Sequence, residues 1–171
     1  MKLIPLTQGM FAMVDDEDFE KFYQFKWHAM PHGNNFYARR GIYDAEFYKI
    51  HKINKVKKTM LHREILCLND PKITVDHRDG NGLNNQKSNL RLCTPSQNMG
   101  NRSKNKNCSS NFKGVAFRVR NGRSFFTASM GLYGKRKHIG DYQCEKEAAL
   151  AYNVAASFAF GEFARLNKIE V

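Results

Sequence analysis

At 171 residues the chain can hold one ordinary domain or two small ones, and it lacks room for a large enzyme scaffold. Its 28 Lys and Arg against 16 Asp and Glu give a formal net charge of +12, which favours a polyanionic partner, DNA or RNA, through counterion release and field steering. A membrane partner is not expected, because the chain lacks any amphipathic basic helix and any apolar run approaching about 18 residues.

The charge is uneven. Residues 1–60 carry ten basic and seven acidic groups, residues 61–98 five and four, and residues 99–171 thirteen and five. From Met99 to Gly140 ten Lys or Arg occur with no acid, so the basic surface is expected to be mostly C-terminal. Cys67, Cys93, Cys108 and Cys144 never form a C-x-x-C pair, which removes support for a zinc knuckle. Met1 to Pro5 runs directly into polar Thr7 and Gln8 without a secretory leader, so a reducing cytoplasm, that of a bacterium or a phage-infected host, is the expected location.

In chain order, FAMV (11–14) predicts a strand, and DDEDFEKFYQF a short helix whose opening acids suit the positive end of its dipole. KWHAM and FYARR predict two more strands around a turn at His32-Gly33-Asn34-Asn35. A basic cluster from Lys49 to Lys58 follows, and the N-terminal region 1–58 is expected to brace what comes next. LHREILCL predicts one or two helical turns with Leu61, Ile65 and Leu68 on one face. His62 is expected to pack, while Arg63 is a candidate phosphate contact. His28, His32 and His51 are expected at the surface.

Val75-Asp76-His77 reads as a strand end, Arg78 to Gln86 as a loop rich in Asp, Gly and Asn, and Thr94-Pro95-Ser96-Gln97 as a helix start. Thr94 suits the N-cap, Pro95 loses nothing by lacking a donor at N1, and Gln97 can close a capping box. Strand, loop and helix together can bring Asp76 and Asn98 to one ion. A carboxylate and an amide carbonyl are hard oxygen ligands, His77 beside them can take a proton from water, and Asn89 can hold the loop.

Residues 105–111 read as a basic linker. Beyond it the period changes to two: Val115, Phe117 and Val119 share one side of a strand, and Ala116, Arg118 and Arg120 the other. Asn121-Gly122 predicts a hairpin turn, RSFFTASM (123–130) a second strand, LYGKR a turn and KHIGDY (137–142) a third strand. A helix is predicted over Glu145–Phe160 with Ala148, Tyr152, Ala155, Ala156 and Ala159 on one face, Cys144 at its N-cap and Gly161 closing it. The fold class is α+β: a β-rich N-terminal region, a core over 59–104, and a three-stranded antiparallel sheet packed on one helix over 112–168.

VDHRDGNGLNNQKSNLRLCTPSQN, preceded by LHREIL, closely resembles the HNH nuclease family with its ββα-metal fold, in the variant whose last histidine is asparagine. The resemblance implies that His77 is the general base, that Asp76 and Asn98 hold a single divalent cation, and that Asn89 fixes the loop orienting His77. Magnesium is the implied ion, with manganese as a substitute. FKGVAFRV, RSFFTASM, KHIGDY and EKEAALAYNVAASFAFGEFARLN resemble the DNA-binding domain of the plant ethylene-response-factor family over Phe112 to Asn167. That resemblance implies a sheet laid in the major groove of double-stranded DNA, with Lys113, Arg118, Arg120, Arg136 and His138 as readers. Ala128, Met130 and His138 stand where plant members carry Glu, Arg and Trp, so the plant target sequence does not transfer. The combination is similar to the free-standing homing endonucleases of phages and mobile elements, and a monomer is expected. A non-catalytic DNA-binding regulator built on a nuclease scaffold is the competing reading, and the intact Asp76, His77 and Asn98 argue against it.

Overall fold

The computed structural model describes residues 1–43, 48–50, 52, 56–104 and 108–169. Parts of the basic cluster Lys49 to Lys58 (residues 51 and 53–55) and of the expected linker (residues 105–107) lie outside the described residues. The chain divides into two compact units, Met1–Leu92 and Cys93–Val171, so the boundary falls inside the span 59–104.

In the first unit, β1 (Lys2–Pro5) pairs antiparallel with β2 (Phe11–Val14), and α1 (Asp16–Tyr23) packs on β1. A three-stranded antiparallel sheet follows, in the order β3 (His28–His32), β4 (Asn35–Tyr43), β5 (Val56–Met60). Its first turn uses Gly33 at φ +60, as the His-Gly-Asn-Asn run predicts. Neither β1 nor β5 was expected, because LIP is too short for a period to show and VKKTM hides its strand pattern under lysines. The helix α2 (Leu61–Ile65) begins at the end of β5. Ile4, Ala12, Val14, Phe22, Trp27 and Leu61 are almost wholly buried and form the centre of this core. Arg40 joins β4 to α2: its guanidinium bonds Glu64 at 2.8 and 2.7 Å and lies 3.6 Å from the Phe25 ring. The unit closes with a two-stranded sheet of β6 (Thr74–His77) and β7 (Leu90–Cys93), whose last residue belongs to the second unit.

The second unit opens with α3 (Pro95–Asn101), followed by an antiparallel sheet in the order β10 (Lys135–Tyr142), β9 (Arg123–Leu132), β8 (Val115–Arg120), and α4 (Glu145–Phe160). The three strands and single helix follow the sequence pattern, although β9 and β10 run to a tighter turn at Tyr133-Gly134 than LYGKR suggests. Asn121 and Gly122, at φ +51 and +73, make the predicted hairpin. Small residues let α4 lie close on the sheet: Ala148, Ala149 and Ala156 are fully buried beside Tyr152. Gly114 is required by the same contact, since a Cβ there would stand 2.1 and 2.3 Å from the Tyr152 ring. Cys144 is the N-cap, as expected, and its side chain makes no capping hydrogen bond. None of the four cysteines is in a disulfide.

The GEFARLN ending acts as a clasp. The Asn167 side chain accepts from the Lys113 amide at 2.7 Å and donates to the Lys113 carbonyl at 3.1 Å, while its backbone makes the same double exchange with the Asn153 side chain at 2.7 and 2.9 Å.

Candidate active site

The site is built around the loop between β6 and β7. Asp79 is its hub. Its carboxylate accepts from the Asn81 amide at 2.8 Å, from Asn84 Nδ2 at 2.8 Å and from Asn89 Nδ2 at 3.0 Å. Asn89 returns the contact by accepting from the Asp79 amide at 3.0 Å, and it also donates to the Asn84 carbonyl at 2.8 Å. Burial pushes the Asp79 carboxyl up, but the Asn81, Asn84 and Asn89 donors and neighbouring His77 outweigh it and hold the group below the usual carboxylate range. These bonds fix a loop rich in Asp, Gly and Asn.

The loop is stitched to the N-terminal elements as well. Met13 donates to the Leu83 carbonyl and accepts from the Asn85 amide, both at 2.8 Å. Asp15, at the start of α1, directs its carboxylate to Gln86 Nε2 at 3.2 Å and the Lys87 amide at 2.8 Å rather than to its own helix. Asn35 donates to the Gly80 carbonyl at 2.7 Å. Gly82 packs against β4 where a Cβ would lie 2.4 Å from the Phe36 carbonyl oxygen and 2.7 Å from the Tyr37 ring. The N-terminal strands therefore build this loop's seat.

His77 ends β6 and is 4% exposed. Burial pushes its imidazole below the ordinary value, against the opposing pull of Asn85, Asp79 and Asp76, so the ring is neutral near pH 7 and able to accept a proton. His62 lies beside it, ring centroids 5.2 Å apart and planes perpendicular, and Tyr37 packs on both rings. Burial, then His77 and Arg63, push the His62 imidazole down to about 3.

Asp76 is equally buried, and Arg91 on β7 bonds its Oδ2 through Nε at 2.8 Å and Nη2 at 2.7 Å. Arg63 donates to the Ile73 and Asp70 carbonyls at 2.7 and 2.5 Å, which makes it a brace for the chain entering β6 rather than a phosphate contact. Asn98 lies in the second unit, half-buried in the first turn of α3. That turn has the predicted capping box: the Gln97 amide donates to Thr94 Oγ1 at 3.2 Å and the Thr94 amide to Gln97 Oε1 at 2.8 Å. Among the described residues no group of three or more His, Cys, Asp or Glu forms a cation cage.

On the second unit the sheet face opposite α4 is basic. Arg118, Arg120, Phe125, Thr127, Ser129, Arg136 and His138 line one shallow groove. Arg136 is anchored there by Nε and Nη2 donating to Ser129 Oγ at 3.0 and 2.8 Å, and Thr127 donates to Asp141 at 2.7 Å. Lys113 lies outside this groove and lines a neighbouring hollow with Arg118, Ser129 and Arg136. Its ammonium donates to the Gly100 carbonyl, and burial, then Arg165, push its amine down to about 8.

Sequence reasoning missed Tyr37, Asn85 and Arg91 and gave His62 only a packing role. The signal for Arg91 is an arginine between two leucines on a strand two residues beyond Asn89; Tyr37 and His62 have no local signal.

His77 is thus a buried imidazole at the start of an asparagine-locked loop between two strands. Residues 70–100 match the HNH endonuclease family. The whole chain is similar to an uncharacterized HNH endonuclease of Acanthamoeba polyphaga mimivirus, 36% identical over 173 residues, which covers 98% of this chain and 80% of that relative. The chain belongs to the HNH endonuclease family. No solved structure matches it significantly. No helix among the described residues is long and apolar enough to cross a membrane.

Proposed function

We propose that the protein is a site-specific DNA endonuclease, a homing endonuclease of a phage or mobile element, that hydrolyses phosphodiester bonds by a one-metal mechanism. The observation that carries this reading is the neutral His77 imidazole, buried at the end of β6 on the loop that Asn89 and Asp79 lock.

In this reading His77 removes a proton from the attacking water, a general-base contribution typically worth about 10² to 10⁴ in rate. Asn89 acts at one remove, by holding the loop that begins at His77. Asp76 and Asn98 are the residues that would hold the cation, Mg²⁺ or Mn²⁺ in its place; when bound, it supplies polarisation of the scissile phosphate and stabilisation of the leaving 3′ oxygen. Arg91 holds the Asp76 carboxylate in place through two nitrogens on one oxygen.

The basic sheet of the second unit is the reader of double-stranded DNA, with Arg118, Arg120, Arg136 and His138 facing the duplex. An arginine to a guanine edge is worth roughly 1 to 3 kcal/mol per bidentate pair. Lys113 bonds the Gly100 carbonyl and lines a hollow shared with Arg118 and Arg136. The working form is a monomer in the cytoplasm of the host cell. The test is incubation of supercoiled plasmid with the protein, with and without Mg²⁺: relaxed or linear product only in the presence of the ion supports the reading, and intact plasmid under both conditions refutes it.

A further inference from the structure

We propose that His62 is a positioning residue for His77, its ring and that of Tyr37 together holding the imidazole of the base in one plane. The inference rests on the reading of His77 as the base. It comes from the geometry of three rings supplied by three elements: Tyr37 by β4, His62 by α2 and His77 by β6. His62 and His77 meet at 5.2 Å and 90°, Tyr37 and His77 at 5.7 Å and 64°, and Tyr37 and His62 at 6.0 Å and 69°.

Each ring presents an edge to another's face, the arrangement that aromatic quadrupoles favour at these separations. A closed triangle of this kind restrains rotation of every ring in it, whereas an aliphatic neighbour would fill the space without selecting a plane. The two supporting rings are themselves held. His62 stands between Leu61, fully buried, and Ile65, 6% exposed, so α2 is anchored in the core on both sides of it. Tyr37 is clamped by the Gly82 backbone, where any side chain would overlap its ring. Asn35, two residues before Tyr37, ties the same strand to the loop that follows His77. Two imidazoles in contact also need at least one to be uncharged, and the burial of His62 meets that condition.

The test compares His62→Ala and His62→Phe with the wild type and with His77→Ala, measuring kcat and KM on a cleaved DNA and the order parameter of the His77 ring by NMR relaxation. The expected result is a loss of about 10 to 100-fold in kcat for His62→Ala with KM unchanged, the scale that misplacement of a reacting group produces. His62→Phe, which keeps an aromatic ring at the site, is expected to recover kcat to within a few-fold and to restore a rigid His77 ring. If the wild type cuts, His77→Ala does not, and His62→Ala cuts at full rate, the positioning role is overturned while the nuclease reading stands. If His62→Phe is as slow as His62→Ala and the His77 ring is equally ordered in both and in the wild type, the role is overturned as well. Should the wild type fail to cut, the nuclease reading fails, and the ring order parameter still decides whether His62 holds His77.

Discussion

Arg91 grips Asp76 through two nitrogens on a single carboxylate oxygen, at 2.8 and 2.7 Å, with side chains 7% and 5% exposed. The pair ties β7 to β6 directly beside His77. A charge left alone at this depth cannot recover its hydration, so Arg91→Met is expected to destabilise the protein by about 3–5 kcal/mol. Urea denaturation followed by tryptophan fluorescence measures this, since Trp27 lies in the same core. A loss under about 1 kcal/mol would mean that Asp76 is solvated or otherwise compensated.

Asn89 makes three side-chain hydrogen bonds within the loop, two of them reciprocal with Asp79. Asn89→Ala leaves the Asp79 amide and the Asn84 carbonyl without these partners and is expected to cost about 1–3 kcal/mol. Because the loop begins at His77, cleavage is expected to fall by about 10 to 100-fold at unchanged DNA affinity. Gel cleavage and a binding isotherm on the same variant separate the two effects.

The buried imidazoles set a pH dependence of stability. The His62 pKa falls from an ordinary value of 6.5 to about 3 on folding, so between those values the unfolded chain binds a proton that the folded chain does not. For a base with a depressed folded-state pKa, this contribution to stability is retained above pH 6.5 and lost as the pH falls, with a slope near 1.4 kcal/mol per pH unit for one proton. His77, also depressed, adds in the same direction. Denaturation measured from about pH 7 to about pH 4 is expected to show this slope, smaller by about one proton in His62→Phe.

Much of this site was legible because its chemistry is local. Thr94, Pro95 and Gln97 carry their own capping logic, and the Asp-Gly-Asn run of the loop satisfies its side chains within eleven residues. The period-two pattern after Phe112 and the Asn121-Gly122 turn gave the sheet for the same reason. Arg91 leaves no such mark: it stands between Leu90 and Leu92, yet Leu92 is 55% exposed and it is Arg91 that turns inward to Asp76. Tyr37 comes from 40 residues before His77 and is brought there only by the pairing of β3, β4 and β5. For Lys113, nothing in its neighbourhood announces the Gly100 carbonyl that its ammonium bonds.

The exposed arginines of the sheet carry the binding prediction. Arg118→Ala with Arg120→Ala removes two cations from the groove, and each neutralised phosphate contributes about 0.9 to the slope of log K against log salt. The double variant is expected to make that slope less negative by about 2. An unchanged slope would move the DNA surface off this sheet. Lys113→Met is expected to leave the slope intact and lower the melting temperature instead.

The central claim is that His77 takes the proton from the attacking water. Supercoiled plasmid with Mg²⁺, treated with wild type and with His77→Ala at concentrations where both are shown to bind DNA, tests it most directly. Loss of cleavage by at least about 100-fold in the variant, with binding retained, is the predicted result. Cleavage by His77→Ala at the wild-type rate would contradict it.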